Sequence, residues 1–222
     1  HSTQVSVISG IGSVGIGLTN PTRLLQVSGS GANCRVQISN TNGGTGSLYV
    51  DDSDNVHVVS GANPGNLILD TVGTERVSID SNGGFTFSNA QLTEKVNIVA
   101  GKLSDNPNID LADGMVHYFT TQDTGICTPD IRINSSTTLN SVMDAGDVIT
   151  VTLISTAAAA AYSANLTIDG NAVTEEWVGG SAPSEGGADG LDIYTYTIIC
   201  THNTNTGDSG FKVIANLTNA TN

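Results

Sequence analysis

Val14-Gly-Ile-Gly-Leu-Thr-Asn-Pro-Thr-Arg-Leu-Leu-Gln-Val27 sets the character of the chain. Val14, Ile16 and Leu18 alternate with glycines, so a strand here is apolar on one face and bare on the other. Glycine inside a strand weakens it and marks a place where another backbone comes close. Asn20-Pro21 then turns the chain, because proline drives its predecessor out of the helical region. A second apolar patch, Leu24 to Val27, follows at once. A strand, turn and strand with so little side-chain mass holds no core of its own and needs neighbours.

The same economy continues downstream. Short apolar patches begin at residues 14, 24, 35, 48, 56, 66, 76 and 85, separated by turn-formers such as Asn42-Gly-Gly-Thr-Gly46 and Ser81-Asn-Gly-Gly84. Short strands at near-even spacing predict an all-β repeat, solenoid or barrel. At about 25 cal/mol per Å² of apolar area, one copy buries too little to offset its conformational entropy. Three chains around a common axis, each supplying one wall of a shared interior, resolve the deficit. A homotrimeric shaft over residues 1–93 is therefore expected.

Val14 to Val27 resembles the V-G-I-G-T-T-x-P-x-x-K-L-x-V element found repeatedly in tail-fibre proteins of bacterial viruses. Thr74-Glu-Arg-Val-Ser-Ile-Asp-Ser-Asn-Gly-Gly84 is similar to the E-R-M-R-I-x-S-x-G phrase that often accompanies it. Leu18 stands where that family usually has threonine, Leu25 replaces the usual lysine, and Phe85 follows where the phrase would run on into Val-Gly-Ile-Gly. The likeness covers roughly the first 90 residues; beyond them there is a looser likeness to the carboxy-terminal β domains of virion proteins. It implies a structural protein of a virion, with other virion proteins and a host-surface glycan or outer-membrane receptor as partners.

Composition agrees with a β protein. Aromatics are 5% and charged residues 13% of the 222 residues, while Gly, Ser, Thr and Asn abound, and these are poor in helix interiors. A net charge of −14, with no cluster of Lys or Arg, excludes nucleic acid as a natural partner. No apolar run reaches the 18 or so residues of a membrane span, so membrane insertion is not expected. No charged-then-apolar leader is readable, and an opening at His1 rather than Met suggests a fragment of something longer.

After Gln91 to Ala100 the strands lengthen, and the sole tryptophan appears. Met115 to Thr121, Asp130 to Ile133, Asp147 to Ile154, Tyr162 to Ile168, Ala172 to Val178, Leu191 to Cys200 and Phe211 to Leu217 read as strands. Asp169-Gly170 is a strong hairpin turn. Roughly seven or eight antiparallel strands on one core predict a β-sandwich or jelly roll over residues 94–222. Ala157 to Ala161 is too short for a stable helix and reads as a strand edge or a packed bend.

Chemistry is sparse. Asp51-Asp-Ser-Asp-Asn55 lacks the glycine and glutamate that an EF-hand requires at its sixth and twelfth positions, and reads as an acidic turn. Glu175 and Glu176 are neighbours on a strand, point to opposite faces and do not form a catalytic pair. His1, His57, His117 and His202 have no zinc spacing, and His117 in its apolar strand reads as a hydrogen-bonded core or subunit-contact residue. Cys34, Cys127 and Cys200 are too scattered for a disulfide framework, although Cys127 and Cys200 could pair. Gly10-Ile-Gly-Ser-Val-Gly15 fits a dinucleotide fingerprint by letter but runs on into strand rather than helix. No cofactor, metal or catalytic residue is predicted.

The one local feature with binding character is Trp177 beside the glycine-rich loop Gly179 to Gly190. Trp177, Glu185 and Asp189 could hold a sugar, by stacking and by hydrogen bonds to the carboxylates. The competing reading puts Trp177 in the core with a flexible loop at its end. The expected function is that of a virion fibre projecting a β domain for attachment. The alternatives are a head-decorating or neck fibre without a receptor role, a tail-spike depolymerase and a secreted bacterial adhesin.

Overall fold

A computed structural model describes residues 6–8, 13–16, 22–28, 35–61, 65–201 and 210–221. The chain is 51% strand and 3% helix, as the abundance of Gly, Ser, Thr and Asn demands. It divides into two compact units, His1–Leu92 and Thr93–Asn222. The turn at Asn20-Pro21 and residues His1, Cys34 and His202 lie outside the described residues.

The first unit is three small sheets. β1 (Ser6–Ile8), β2 (Ser13–Ile16) and β3 (Leu25–Val27) form one, with β1 antiparallel and β3 parallel to β2. β4 (Arg35–Ser39), β5 (Thr45–Val50) and β6 (Val56–Ser60) form an antiparallel meander, and β7 (Leu67–Thr71), β8 (Thr74–Ile79) and β9 (Phe85–Phe87) form another.

Register decides which side chains share a face. In the β4–β6 sheet Val36 stands opposite Leu48 and Leu48 opposite Val58, while Val50 pairs with Val56. All five lie on one face with Ile38. The other face carries Arg35, Tyr49 and His57 in one row, with the guanidinium 5.0 Å from the Tyr49 ring and the imidazole stacked on it at 4.5 Å. The β7–β9 sheet repeats the division: Leu67, Ile79 and Phe85 form one apolar row and Leu69, Val77 and Phe87 the next. These faces are bare. Ile38 is 76% exposed, Val56 69% and Phe85 58%.

One turn design recurs three times. In Asn40–Gly44, Asp51–Asn55 and Asp80–Gly84 the first residue's backbone N–H donates to the fifth carbonyl, and the fourth N–H donates to the first carbonyl. The first side chain's Oδ1 accepts the third and fifth backbone N–H in each case. The fourth residue is left-handed: Gly43 (φ 87°), Asp54 (φ 65°) and Gly83 (φ 85°). This is a three-residue hairpin loop closed by a left-handed residue. The Asp51 run is thus a self-satisfied acidic turn. Its carboxyl is held far below the usual range, first by His57 and then by Asn55. The backbone N–H of Gly84 does the same, less strongly, for Asp80.

The second unit is a two-sheet sandwich. Its strands are β10 (Val96–Val99), β11 (Asn108–Asp110), β12 (Val116–Gln122), β13 (Asp130–Arg132), β14 (Val148–Thr156), β15 (Thr167–Ile168), β16 (Asn171–Ala172), β17 (Glu175–Trp177), β18 (Leu191–Cys200) and β19 (Phe211–Ala220). One sheet runs β10-β12-β14-β18-β19-β17 and the other β11-β13-β15-β16. Strict burial alternation in β14 and β18 turns Val151, Leu153, Tyr194, Tyr196 and Ile198 into the core, where Ile109, Ile131 and Ile168 of the smaller sheet meet them.

The expected antiparallel, jelly-roll pairing is corrected by the strand directions. β10, β12 and β14 are parallel, as are β11, β13 and β15, and β17 is parallel to β19. From β10 to β15 the chain alternates between the sheets, so each strand returns beside its predecessor but one and in the same direction. Parallel neighbours need a long crossover, here supplied by a strand of the opposite sheet rather than a helix. Antiparallel β18 and β19 then extend the larger sheet.

Two strand spans are also corrected. Tyr162 to Ile168 is strand only at Thr167–Ile168. Before that, the buried Ser163 donates its hydroxyl to the Asn165 carbonyl, and the Leu166 N–H turns to Glu175. Ala172 to Val178 splits into β16 and β17 because the buried Val173 leaves the sheet for the core. The alanine run is a tight bend, with Ala161 N–H donating to Ala158 and both Ala157 and Ala161 buried. Asp169-Gly170 forms the β15–β16 hairpin, both residues having positive φ.

Val72-Gly73 makes the corresponding turn between β7 and β8, with φ of 53° and 69°. A β-branched residue pays most in that conformation, and Val72 is fully exposed, so it gains nothing from packing. Val72→Asn should therefore stabilise the first unit by about 1 kcal/mol, the usual cost of the left-handed region. Chemical denaturation of the two chains side by side would measure it.

Candidate functional site

Trp177 sits at the rim of the second unit. β17 is the last strand of the large sheet, so its inward residues Glu175 and Trp177 cover the edge of the core rather than its centre. The indole packs edge-on to Tyr196 at 6.4 Å. It is half-buried and borders a groove of about 360 Å³, shared with Asn165, Thr174, Glu175, Glu176 and Ser181. The local reason is a turn: Gly180 donates to the Trp177 carbonyl, with Gly179 and Gly180 both at positive φ. That brings Ser181 and Ala182 back beside the ring.

Of the three residues named from sequence, the groove holds Trp177 alone. Glu185 and Asp189 are exposed and do not line it. Between them Gly186 donates to the Ala159 carbonyl and Gly187 donates to the buried Asp192 carboxylate, which also accepts from Asn219 at 2.6 Å. A Cβ at Gly186 would lie 2.1 Å from the Ala161 carbonyl oxygen. The loop is therefore pinned to the alanine bend at its middle. The ring both caps the edge of the core and faces the groove.

Both glutamates border the groove, in different states. Glu175 accepts the Leu166 N–H at 2.6 Å, fixing the segment before β15. Glu176 is exposed, paired with Lys212 at 2.8 Å, and that ammonium lowers its pKa. Asn165, Thr174 and Ser181 add polar groups that sequence reading missed. Asn165 and Ser181 lie in irregular segments, and only the fold of β15 to β17 joins them to the indole. An aromatic face ringed by amide, hydroxyls and carboxylates suits a polyhydroxylated ligand.

The remaining candidates are structural. Cys127 and Cys200 are buried and are not joined to each other by a disulfide. Burial pushes the Cys127 thiol up to about 12, away from nucleophilic use. Burial likewise raises Tyr194 and Tyr196, whose hydroxyls gather around Ser163. Among the described residues no group of three or more His, Cys, Asp or Glu is placed to hold a metal. No described helix is long and apolar enough to cross a membrane. Comparison with family models, with curated proteins and with solved structures finds no match.

His117 is a buried core residue bonded at both nitrogens. Nε2 donates to the Gly114 carbonyl at 2.9 Å and Nδ1 accepts from Asn97 at 3.1 Å, a pattern that fits the neutral ring. Desolvation lowers its pKa below the ordinary 6.5. The unfolded chain then binds the extra proton more readily, so stability falls as pH drops below about 6.5. Asp51 and Asp80, held low in the folded state, withdraw their stabilisation only below their ordinary 3.8. Melting temperature between pH 7 and 5 should thus decline in the native chain and decline less in His117→Gln.

Proposed function

We propose that this chain is a homotrimeric virion fibre protein of a bacterial virus: a thin β-shaft carrying a β-sandwich tip that attaches to the host surface. The observation that carries the reading is the set of uncovered apolar faces on the first unit. Leu48, Val50, Val56 and Val58 are each more than half exposed on a sheet whose other face is polar. Burial of such a side chain is worth about 1.5–3 kcal/mol. A folded single copy forgoes that gain at position after position, whereas three copies facing one axis recover it. The VGIG-x-x-NP and E-R-V-x-I phrases point the same way through their resemblance to tail fibres. A chain with 21 acidic and 7 basic residues suits a particle appendage that must not bind nucleic acid.

The tip would engage its receptor through the Trp177 groove. Glu175 and Glu176 at its rim favour a neutral over an anionic glycan, since a carboxylate repels acidic sugars and accepts from hydroxyls. Three weak grooves on one trimer bind a repetitive surface far more tightly than one.

Sedimentation of the purified chain should give three times the 22.7 kDa of one copy, and a folded monomer would overturn the proposal. Leu48→Asp, which plants three carboxylates in the shared interior, should abolish that assembly. Trp177→Ala should leave the trimer intact and reduce binding to host cells at least tenfold. Because Trp177 is the sole tryptophan, its fluorescence reports glycan binding directly.

A further inference from the structure

The second unit has an unpartnered surface of its own, the outer side of its six-stranded sheet. Outward residues of β10, β12, β14 and β18 stand in register as Ile98, Tyr118, Ile154 and Ile193. The next row runs through Thr152 and Thr195. None of these belongs to the core beneath, and Ile98 is 69% exposed.

What sets the face apart is its charge. Of the carboxylates within these strands, Asp192 and Glu175 point inward. Glu176 is neutralised by Lys212 on the neighbouring strand. The outer side is thus free of net charge on a chain of net charge −14. Any second copy brings the same −14, and like charges repel wherever acidic surfaces meet; here they do not. The size also fits. β12, β14, β18 and β19 are 7 to 10 residues long. At about 3.3 Å per residue and 4.8 Å between strands, these four with β10 span on the order of 600–700 Å². A stable protein interface takes about 800 Å² of accessible surface from each partner.

We infer that this face is a second self-association surface, turned toward a common axis and seated against other copies of the same chain. It rests on the homotrimer proposed above but is separate from the apolar faces of the shaft. Thr152 and Thr195 lie nearest its centre. The tip is then held by its own contact, and the Trp177 groove, on the inward side of the sheet edge, stays open to a receptor.

The test uses the full chain carrying Cys34→Ser and Thr195→Cys, the two remaining native cysteines being buried. A short bismaleimide joins one thiol to one other, so it should link two copies of most assemblies into a covalent dimer and leave the third unlinked. Adding Thr152→Glu should cut that yield at least tenfold without changing the sedimentation coefficient. In the unaltered chain, hydroxyl-radical labelling of Tyr118 should be suppressed several-fold in the assembly relative to Thr152→Glu. A trimer that gives no cross-link and a fully labelled Tyr118 overturns this inference and leaves the shaft reading standing. A monomeric chain overturns both. Protection of Tyr118 only within the intact particle overturns it too, by giving the face to another virion protein.

Discussion

A small β-sheet has two faces, and water tolerates only one that is polar. In the first unit this constraint governs everything else. Six strands of six residues or fewer, in two meanders, place Val36, Ile38, Leu48, Val50, Val56 and Val58 on one side of the first sheet and Leu67, Leu69, Val77, Ile79, Phe85 and Phe87 on one side of the second. On the opposite side of the first sheet Arg35, Tyr49 and His57 form a continuous stack that ends in a hydrogen bond between His57 and Asp51. A surface so completed on one side and so bare on the other is built for a partner. Sister chains are the proposed one, since a thin repetitive strip meets its own copy with matched length and pattern.

The second unit meets the same constraint differently. It has enough strands to fold one sheet over another, so it closes its own interior around Tyr194, Tyr196, Ile131 and Ile168. The crossovers between sheets make the neighbouring strands from β10 to β15 parallel without a helix. They also leave β17 at the rim, which is why its tryptophan is half in the core and half in the groove. A pinned loop, held by Asp192 and the alanine bend, keeps that rim in one shape.

Much of this was legible in the residues and some of it could not have been. Alternation in Asp147 to Ile154 and Leu191 to Cys200 marks β14 and β18 directly, because a two-sheet core demands apolar side chains at every second position. Asp169-Gly170 announces its hairpin, and the alanine run its bend. Strand direction is silent in such patterns: an alternating strand looks alike whether its neighbour runs with it or against it, so the parallel pairs were missed. Tyr162 to Ile168 alternates as well as any strand, yet Ser163 and Leu166 spend their hydrogen bonds on side partners instead of a ladder. At the candidate site the indole was readable as the sole tryptophan. Its neighbours Asn165, Thr174 and Ser181 were not, since ordinary polar residues become a site only when the chain brings them together.

The central claim is that the first unit keeps its apolar faces from water only in company. Electron cryomicroscopy of the purified chain tests this most directly. The account predicts a three-fold cross-section in which the Leu48 and Val58 side chains of three copies meet at the axis. A single copy standing alone, with those side chains covered by its own residues, would contradict it.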